Sequence, residues 1–161
     1  MSTLDLTRIE NQIAQHYSVL VQQHRGELSL TLRRDDLLPA LRYIKEDKDL
    51  AFNYLIDVTG VDTRPLNGAF EMVYHLLSQK NHQRLRFKVL LDPADLNIDS
   101  TTAIWPGSAF QEREIWDLLG IRFRGLADHS RLYLPDDFEG HPLRKDYSPW
   151  AQDTDIGGFK G

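Results

Sequence analysis

The chain has 161 residues and contains no cysteine. Without thiolates it can form no disulfide, and it can hold neither a cysteine-bound zinc ion nor a cysteine-ligated iron–sulfur cluster. It also lacks any run of about 18 to 20 apolar residues, which is the length that a membrane-spanning helix needs. These absences exclude a disulfide framework and a thiolate redox centre, and they predict that any link to a membrane goes through a partner.

An excess of positive charge is missing as well. Lysine and arginine number 19 against 24 aspartates and glutamates, and the formal net charge is -5. Such a chain produces no general field that would attract nucleic acid or an anionic membrane surface. In the C-terminal third the basic residues are interrupted by acidic ones, so no basic stripe forms. We therefore predict that nucleic acid is not a partner.

The usual signatures of catalysis are absent too. The six histidines are scattered, with no His-x-His or His-Glu-x-x-His spacing, and there is no glycine-rich phosphate loop or nucleophile elbow. One oxygen-rich cluster could bind a hard divalent cation, which leaves a stand-alone metal-dependent hydrolase as a distant alternative. That cluster lacks the spacing of a calcium loop, so the prediction is that this chain has no catalytic, cofactor-binding or metal-binding residue. The cluster consists of Asp136, Asp137, Glu139 and His141.

What is present is a regular pattern of apolar residues. Helical spacing predicts one helix over residues 4–16 and a second that starts at Asp35 or Asp36. Alternation with a period of two predicts strands, which are rich in β-branched and aromatic residues. The resulting order, α-β-β-α-β-β-β, predicts an α+β fold with helices on a mainly antiparallel sheet. The predicted strands cover residues 19–22, 28–32, 52–61, 70–77 and 85–91.

A further short helix is predicted over residues 109–119. Ser108 and Gln111 match a Ser-x-x-Gln capping box before it, and Gly120 suits the left-handed position that ends a helix. Its buried stripe includes Ile115, with Glu112 at the edge of the stripe. The same periodicity places Arg113 and Asp117 on the far side, where a solvated face is the ordinary interpretation. The alternative is a structured ion network at a subunit contact, which acidic residues in the first turn would favour.

Composition changes after this helix. Residues 135–161 contain three prolines and four glycines but few large aliphatic side chains, so this segment cannot bury a core of its own. We therefore predict two parts: an α+β body over residues 1–125, which includes the Glu-Arg-Glu helix, and an irregular C-terminal arm over residues 126–161. Aromatic residues spaced along a mixed-charge arm are typical of a segment that docks on another protein.

Two blocks of sequence carry a resemblance to a known family. Residues 112–123 read Glu-Arg-Glu-Ile-Trp-Asp-Leu-Leu-Gly-Ile-Arg-Phe, and residues 134–147 read Leu-Pro-Asp-Asp-Phe-Glu-Gly-His-Pro-Leu-Arg-Lys-Asp-Tyr. Both resemble the C subunit of respiratory complex I, the NADH:quinone oxidoreductase. Residues 57–62 look like the central strand and turn of that family. Residues 125–131 depart from it, since they read Gly-Leu-Ala-Asp-His-Ser-Arg where the family usually has Gly-His-Pro-Asp-Leu-Arg-Arg.

The resemblance implies a cofactor-free structural and assembly subunit of the hydrophilic arm of a proton-translocating oxidoreductase. FMN, iron–sulfur clusters and quinone would belong to partner subunits, among them the large subunit that builds the quinone cavity. The implied location is the cytoplasmic face of a bacterial inner membrane, or the matrix side in mitochondria. The alternative is the same role in a related membrane-bound hydrogenase or in a ferredoxin- or F420H2-dependent complex.

The residues predicted to contact partner subunits lie in the two blocks and just beyond the second. In the helix they are Glu112, Arg113, Glu114 and Asp117. In the arm they are His141, Pro142, Leu143, Arg144, Lys145, Asp146, Tyr147 and Trp150.

Overall fold

The computed structural model describes residues 6–148 and shows four helices and seven strands in that range. None of these helices is both long enough and apolar enough to cross a membrane. The elements are α1 (Leu6–Ala14), β1 (Val19–His24), β2 (Glu27–Leu32), α2 (Leu37–Glu46), β3 (Tyr54–Asp62), α3 (Arg64–Asn67), β4 (Phe70–Ser78), β5 (Gln83–Leu91), β6 (Asn97–Asp99), α4 (Ser108–Leu119) and β7 (Arg122–Arg124).

Five strands form one sheet in the order β1-β2-β5-β4-β3. Three of the four pairings are antiparallel, and only β2 and β5 run parallel. The predicted α+β fold with a mainly antiparallel sheet is therefore confirmed. β6 and β7 form a separate parallel pair that periodicity did not predict, because each strand has only three residues.

The core lies between one face of the sheet and the helices. On β5 the buried residues alternate with exposed or half-buried ones, so that Leu85, Phe87, Val89 and Leu91 face inward. α1 and α2 supply fully buried aliphatic side chains to the same cluster. The opposite face of β5 carries basic residues and leaves Leu90 46% exposed, as the period-two pattern predicts.

Helix α4 packs against β3 at a glycine. A Cβ atom added to Gly60 would lie only 2.8 Å from Leu119 Cδ1 and 3.0 Å from Ile115 Cγ2. The helix therefore approaches the strand more closely than any side chain at this position would allow. This close approach fixes where the C-terminal end of α4 lies, and that end organises the candidate site described below.

Two predicted caps have a different form in the structure. Gly107, not a serine, precedes α4, and Ser108 lies inside the helix with its hydroxyl donating to Glu112. The capping-box prediction is therefore wrong, because the Ser108 hydroxyl donates to the buried Glu112 carboxylate and makes no cap bond to the backbone. Asp36 makes no side-chain cap bond either, since a 3-10 turn leads directly into α2. By contrast, Gly120 adopts the predicted left-handed conformation, with φ of 75°.

Candidate functional site at the end of helix α4

All four carbonyl groups at the C-terminal end of α4 accept hydrogen bonds. A helix end normally leaves such carbonyls without intrahelical partners. Here Gly120 N–H bonds the Trp116 carbonyl at 2.8 Å, and the other donors come from the C-terminal segment. The Asp117 carbonyl accepts from Arg131 Nη1 (3.1 Å) and His141 Nδ1 (2.9 Å), the Leu118 carbonyl from Leu143 N (3.1 Å), and the Leu119 carbonyl from Arg144 Nε (2.7 Å).

We call the four residues of the C-terminal segment that bond these carbonyls the α4 clasp: Arg131, His141, Leu143 and Arg144. Because a carbonyl oxygen only accepts, the Nδ1 atom of His141 must carry the proton that it donates. Burial lowers the pKa of His141, and the nearby positive charges of Arg144 and Arg131 lower it further. The α4 clasp thus joins the two sequence blocks into one unit within a single chain.

Asp117 is the buried anion of this unit. Its side chain has no exposed surface, and its Oδ2 atom accepts from the backbone N–H groups of Leu132 (3.0 Å), Tyr133 (2.9 Å) and Leu134 (3.2 Å). Its Oδ1 atom pairs with Arg131 Nη1 at 2.9 Å. Burial by itself would raise the pKa of Asp117, but the Tyr133 N–H, Arg131 and the other N–H donors outweigh burial and lower it.

The solvated-face interpretation is therefore wrong for Asp117. Helical periodicity identifies only the stripe that faces the sheet, and it assumes that the far side meets water. In this structure residues 131–134 cover that far side and turn their N–H groups toward the carboxylate. A contact fourteen or more positions along the chain is invisible to a pattern with a period of 3.6 residues.

Arg131 is the central residue that motif reasoning missed. Its side chain is only 14% exposed, and its Nη2 atom donates to the Phe138 carbonyl at 2.6 Å. The guanidinium also lies 5.5 Å from the ring centre of Trp116 and 5.9 Å from that of Phe138, which is within cation–π range. One signal could have found it: Arg131 is the position of the divergent loop that still matches the last arginine of the family pattern.

Gly120 makes room for the α4 clasp. Its φ of 75° lies in the left-handed region that side chains disfavour. A Cβ atom added there would also lie 2.6 Å from the His141 ring and would collide with the Arg144 guanidinium. The glycine is therefore required twice, once by the backbone turn and once by the side chains that pack on it.

A second set of contacts ties the C-terminal segment to the end of β3. The buried Asp62 carboxylate accepts from Arg64 Nη2 (2.6 Å) and from the Lys145 N–H (2.8 Å). Arg64 in turn makes two bonds to Asp146, at 2.7 and 2.8 Å. The bonds from Arg64 are the main cause that holds the pKa of Asp62 far below its usual range. Asp146 is 63% exposed, so this network reaches the surface.

Glu112 is also fully buried, at the other end of α4. Its Oε1 atom accepts from Thr101 N (2.7 Å), Thr101 Oγ1 (2.6 Å) and Ser108 Oγ (3.2 Å), and its Oε2 atom accepts from Ser100 Oγ (2.6 Å). These donors are neutral and belong to this chain. Glu112 therefore fixes the 3-10 turn at Thr101–Ala103 onto the helix, rather than lying at the edge of the buried stripe.

The remaining predicted contact residues are more exposed. Arg113 bonds the Ser130 and Arg131 carbonyls and pairs with Asp128 at 3.1 Å, which holds the divergent loop against α4. Leu143 is 55% exposed although its N–H belongs to the α4 clasp. Glu114, Pro142 and Tyr147 are half-buried, Lys145 is exposed, and Trp150 lies outside the described residues.

The acidic loop has no metal-binding geometry. Within residues 6–148, no group of three or more histidine, cysteine, aspartate or glutamate side chains is placed to hold an ion. His141, the only histidine of the proposed cluster, instead donates to the Asp117 carbonyl. The geometry therefore gives the hydrolase alternative no support.

Comparison with known proteins decides the family. The model of the family described as "Respiratory-chain NADH dehydrogenase, 30 Kd subunit" matches residues 30–153. The chain belongs to this family. The match confirms the resemblance that the two sequence blocks indicated, and it includes the α4 clasp and both buried carboxylates of α4.

Several relatives are similar to this chain over most of its length. The C subunit of NADH-quinone oxidoreductase from Citrifermentans bemidjiense is 40% identical over 139 residues, which are 86% of this chain and 84% of the relative. The protein of the same name from Moorella thermoacetica is 45% identical over 119 residues, 74% of this chain and 78% of the relative. That of a Roseiflexus species is 39% identical over 132 residues, 82% and 76% of the two chains.

Two solved structures share the fold. A trypsin-resistant fragment of Nqo5 has a TM-score of 0.66 and 27% identity, and the match covers 76% of this chain and 98% of the fragment. A chain of the membrane-bound sulfane sulfur reductase, an archaeal respiratory membrane complex, has a TM-score of 0.76 and 26% identity. That second match covers 90% of this chain and 86% of the archaeal one.

Proposed function

We propose that this chain is the C subunit of an NADH-quinone oxidoreductase and that it has a structural and assembly role there. The observation that carries the proposal is the 40% identity, over 86% of the chain, to a protein of that name. The absence of cysteine supports a division of labour in which FMN, iron–sulfur clusters and quinone belong to partner subunits. In this role the chain contributes geometry and no catalytic residue.

The site supports this role through rigidity. The α4 clasp and the Asp62 network commit Asp117, Arg144 and Asp146 to bonds within the chain. Buried, fully bonded polar networks specify one arrangement of the surrounding backbone. A rigid body holds neighbouring redox subunits at fixed separations, which electron transfer between their centres requires. The proposed place is the hydrophilic arm, on the cytoplasmic face of a bacterial inner membrane or the matrix side in mitochondria.

The proposed contact surface is the outward side of the same C-terminal segment. With their backbones held, Leu143 and Tyr133 present side chains that are 55% and 65% exposed. Tyrosine is one of the residue types that dominate binding at stable interfaces. An exposed apolar side chain such as Leu143 gains free energy when an interface removes it from water. Pro142, Lys145, Asp146, Tyr147 and Trp150, with Arg113 and Glu114 on α4, are proposed to complete the contacts. The fully buried Glu112 and Asp117 support that surface from below, as His141 and Arg144 do through the clasp.

A second candidate is the same role in a related complex with another electron donor or acceptor. The similarity to a chain of the archaeal sulfane sulfur reductase complex, with a TM-score of 0.76, favours it. Because the chain itself holds no redox group in this proposal, the donor is selected by other subunits. A membrane-bound hydrogenase or a ferredoxin- or F420H2-dependent complex therefore remains the alternative.

The test is to purify the tagged full-length chain from its native membranes in mild detergent and to identify the proteins that accompany it by mass spectrometry. We expect flavin, iron–sulfur and quinone-cavity subunits, and the identity of the electron-input subunit separates NADH from the other donors. Leu143→Asp should greatly reduce their recovery. Leu66→Asp is the matched control, since Leu66 on α3 is 87% exposed and lies outside the proposed surface.

Recovery of the chain alone, with a stoichiometric divalent metal, would contradict the proposal and return attention to the acidic loop. Normal recovery of partners with Leu143→Asp would contradict the proposed surface but not the role in the complex. Both variants should unfold at the same temperature as the unaltered chain, because neither side chain is buried.

A further inference from the structure

Strand β1 is one edge of the five-stranded sheet, and its hairpin geometry shows which backbone groups face outward. His24 pairs with Glu27 across a two-residue turn in which Arg25 and Gly26 both have positive φ, of 51° and 79°. This is the type I′ turn that suits two-residue hairpins. The pair next to such a turn is hydrogen-bonded, and bonded pairs alternate along the strands.

The alternation assigns the backbone groups of β1. Leu20, Gln22 and His24 turn their N–H and C=O groups toward β2, whereas Val19, Val21 and Gln23 turn theirs away from the sheet. Within residues 6–148, no backbone or side-chain group bonds this outward row. Three residues of β1 thus turn outward N–H and C=O groups that no described residue bonds.

The other edge strand, β3, differs from β1 because it carries features that disfavour edge pairing, among them the charged residues Asp57 and Asp62. β3 has a register irregularity between Leu55 and Asp57, and α4 packs against it at Gly60. Just before β3, Trp105 Nε1 donates to the Asn53 carbonyl at 3.0 Å. Bulges, covering elements and charged residues are the usual means by which proteins prevent edge pairing.

β1 has none of these protections. Residues 11–24 contain none of the 19 basic and 24 acidic residues of the chain, and this is the longest stretch without formal charge. Leu20 is 71% exposed on one face of β1 and Val21 is 36% exposed on the other. A strand added at this edge would contact apolar side chains on both faces and would bury no unpaired charge from β1.

We propose that the open edge of β1 binds an extended, uncharged segment of a neighbouring subunit of the oxidoreductase, which adds a sixth strand to the sheet. The inference rests on the proposed function for the existence of that subunit. Electrostatic complementarity favours a neutral strand as the occupant of this uncharged edge. A charged strand would lose its hydration there without gaining a group of opposite charge. Main-chain hydrogen bonds would provide affinity, and contacts with the Leu20 and Val21 side chains would fix the register of the added strand.

The experiment is residue-resolved amide hydrogen exchange on the native complex and on the isolated full-length chain. In the isolated chain, the N–H groups of Leu20, Gln22 and His24 should be protected, and those of Val19, Val21 and Gln23 should exchange rapidly. In the complex, exchange of the second set should slow by about tenfold or more, because a ladder bond must open first. The alternating pattern distinguishes strand addition from general shielding.

Other results would overturn the inference. Unchanged rapid exchange of Val19, Val21 and Gln23 within a recovered complex would reject edge pairing while leaving the proposed function intact. Protection in the isolated chain that grows with concentration would assign the edge to a second copy, and protection at every concentration would assign it to the chain itself. Failure to recover any complex would reject the proposed function and the inference together.

A variant pair tests the edge independently. Val21→Pro removes an outward N–H, which an edge strand tolerates, whereas Val21→Thr keeps both the N–H and the β-branched shape. We expect Val21→Pro to lower recovery of the partner subunit at least several-fold while the isolated chain keeps its exchange pattern elsewhere. Equal recovery of partners with the two variants would overturn the inference.

Discussion

The two buried carboxylates of α4 look alike in sequence but are held by different kinds of donor. Both Glu112 and Asp117 are fully buried. Three of the four bonds to Glu112 come from hydroxyl groups, which can donate or accept. The side-chain bonds to Asp117 come only from backbone N–H groups and a guanidinium, which can only donate. Only the Asp117 site therefore requires an anion.

The largest expected effect comes from removing that charge. Asp117→Asn places an amide N–H₂ group against donors and leaves Arg131 without its counter-charge, so we expect the free energy of unfolding to fall by about 3–5 kcal/mol. Glu112→Gln should cost only about 1–2 kcal/mol, because the hydroxyls can turn to accept from the new amide. Urea unfolding of the isolated chain measures both. Equal losses would contradict the distinction between the two sites.

A medium effect is expected where the Asp117 end of the helix turns. Gly120→Ala forces a side chain into a left-handed conformation and against His141 and Arg144, and we expect a loss of about 1–2 kcal/mol or more. Gly107→Ala, at the Glu112 end, is the matched control, since its φ is -65° and an added Cβ would meet nothing within 4 Å. Similar melting temperatures for the two variants would contradict this expectation, because they would show that the α4 clasp can shift to accommodate the added side chain.

The smallest expected effect is a pH dependence at the Asp117 end. The pKa of His141 is lowered by burial and by Arg144 and Arg131, so the folded state binds the proton more weakly than the unfolded state does. The neutral ring stabilises the fold above the unfolded pKa of about 6.5. This contribution is lost as the pH falls through the lower folded pKa.

His141→Gln should therefore flatten the decline in melting temperature between neutral and mildly acidic pH. His24→Gln is the control, because His24 is exposed at the end of β1. A decline that is unchanged by His141→Gln would show that another group controls the acid sensitivity.

Periodicity predicted the strands and the order of elements well, because local alternation reports which face is buried. Leu85, Phe87, Val89 and Leu91 show this on β5, where all four are buried as predicted. The same reasoning could not find the parallel pairing of β2 with β5, since β3 and β4 intervene in the chain. It also made a solvated face the ordinary interpretation for Asp117, because the segment that covers Asp117 lies beyond the helix.

The candidate site divides in a similar way. The sequence identified Gly120 as the residue that ends the helix. It could not show that Gly120 must also leave space, because His141 and Arg144 lie more than twenty residues further along the chain. In the sequence, Arg131 is only one of several basic residues in the C-terminal third. Its role depends on Asp117, Trp116 and Phe138 meeting around it, which no spacing rule describes.

The sequence alone determined the family, the α+β class and the absence of a thiolate redox centre, since these depend on residue identity and local order. The tertiary structure decided which charged residues face inward and which edge of the sheet is open. Both depend on contacts between distant segments. Burial makes an unpaired charge far more unfavourable than it is in water, so the donors that meet Asp117 determine its role. An identical aspartate on an uncovered helix would be a solvated surface charge.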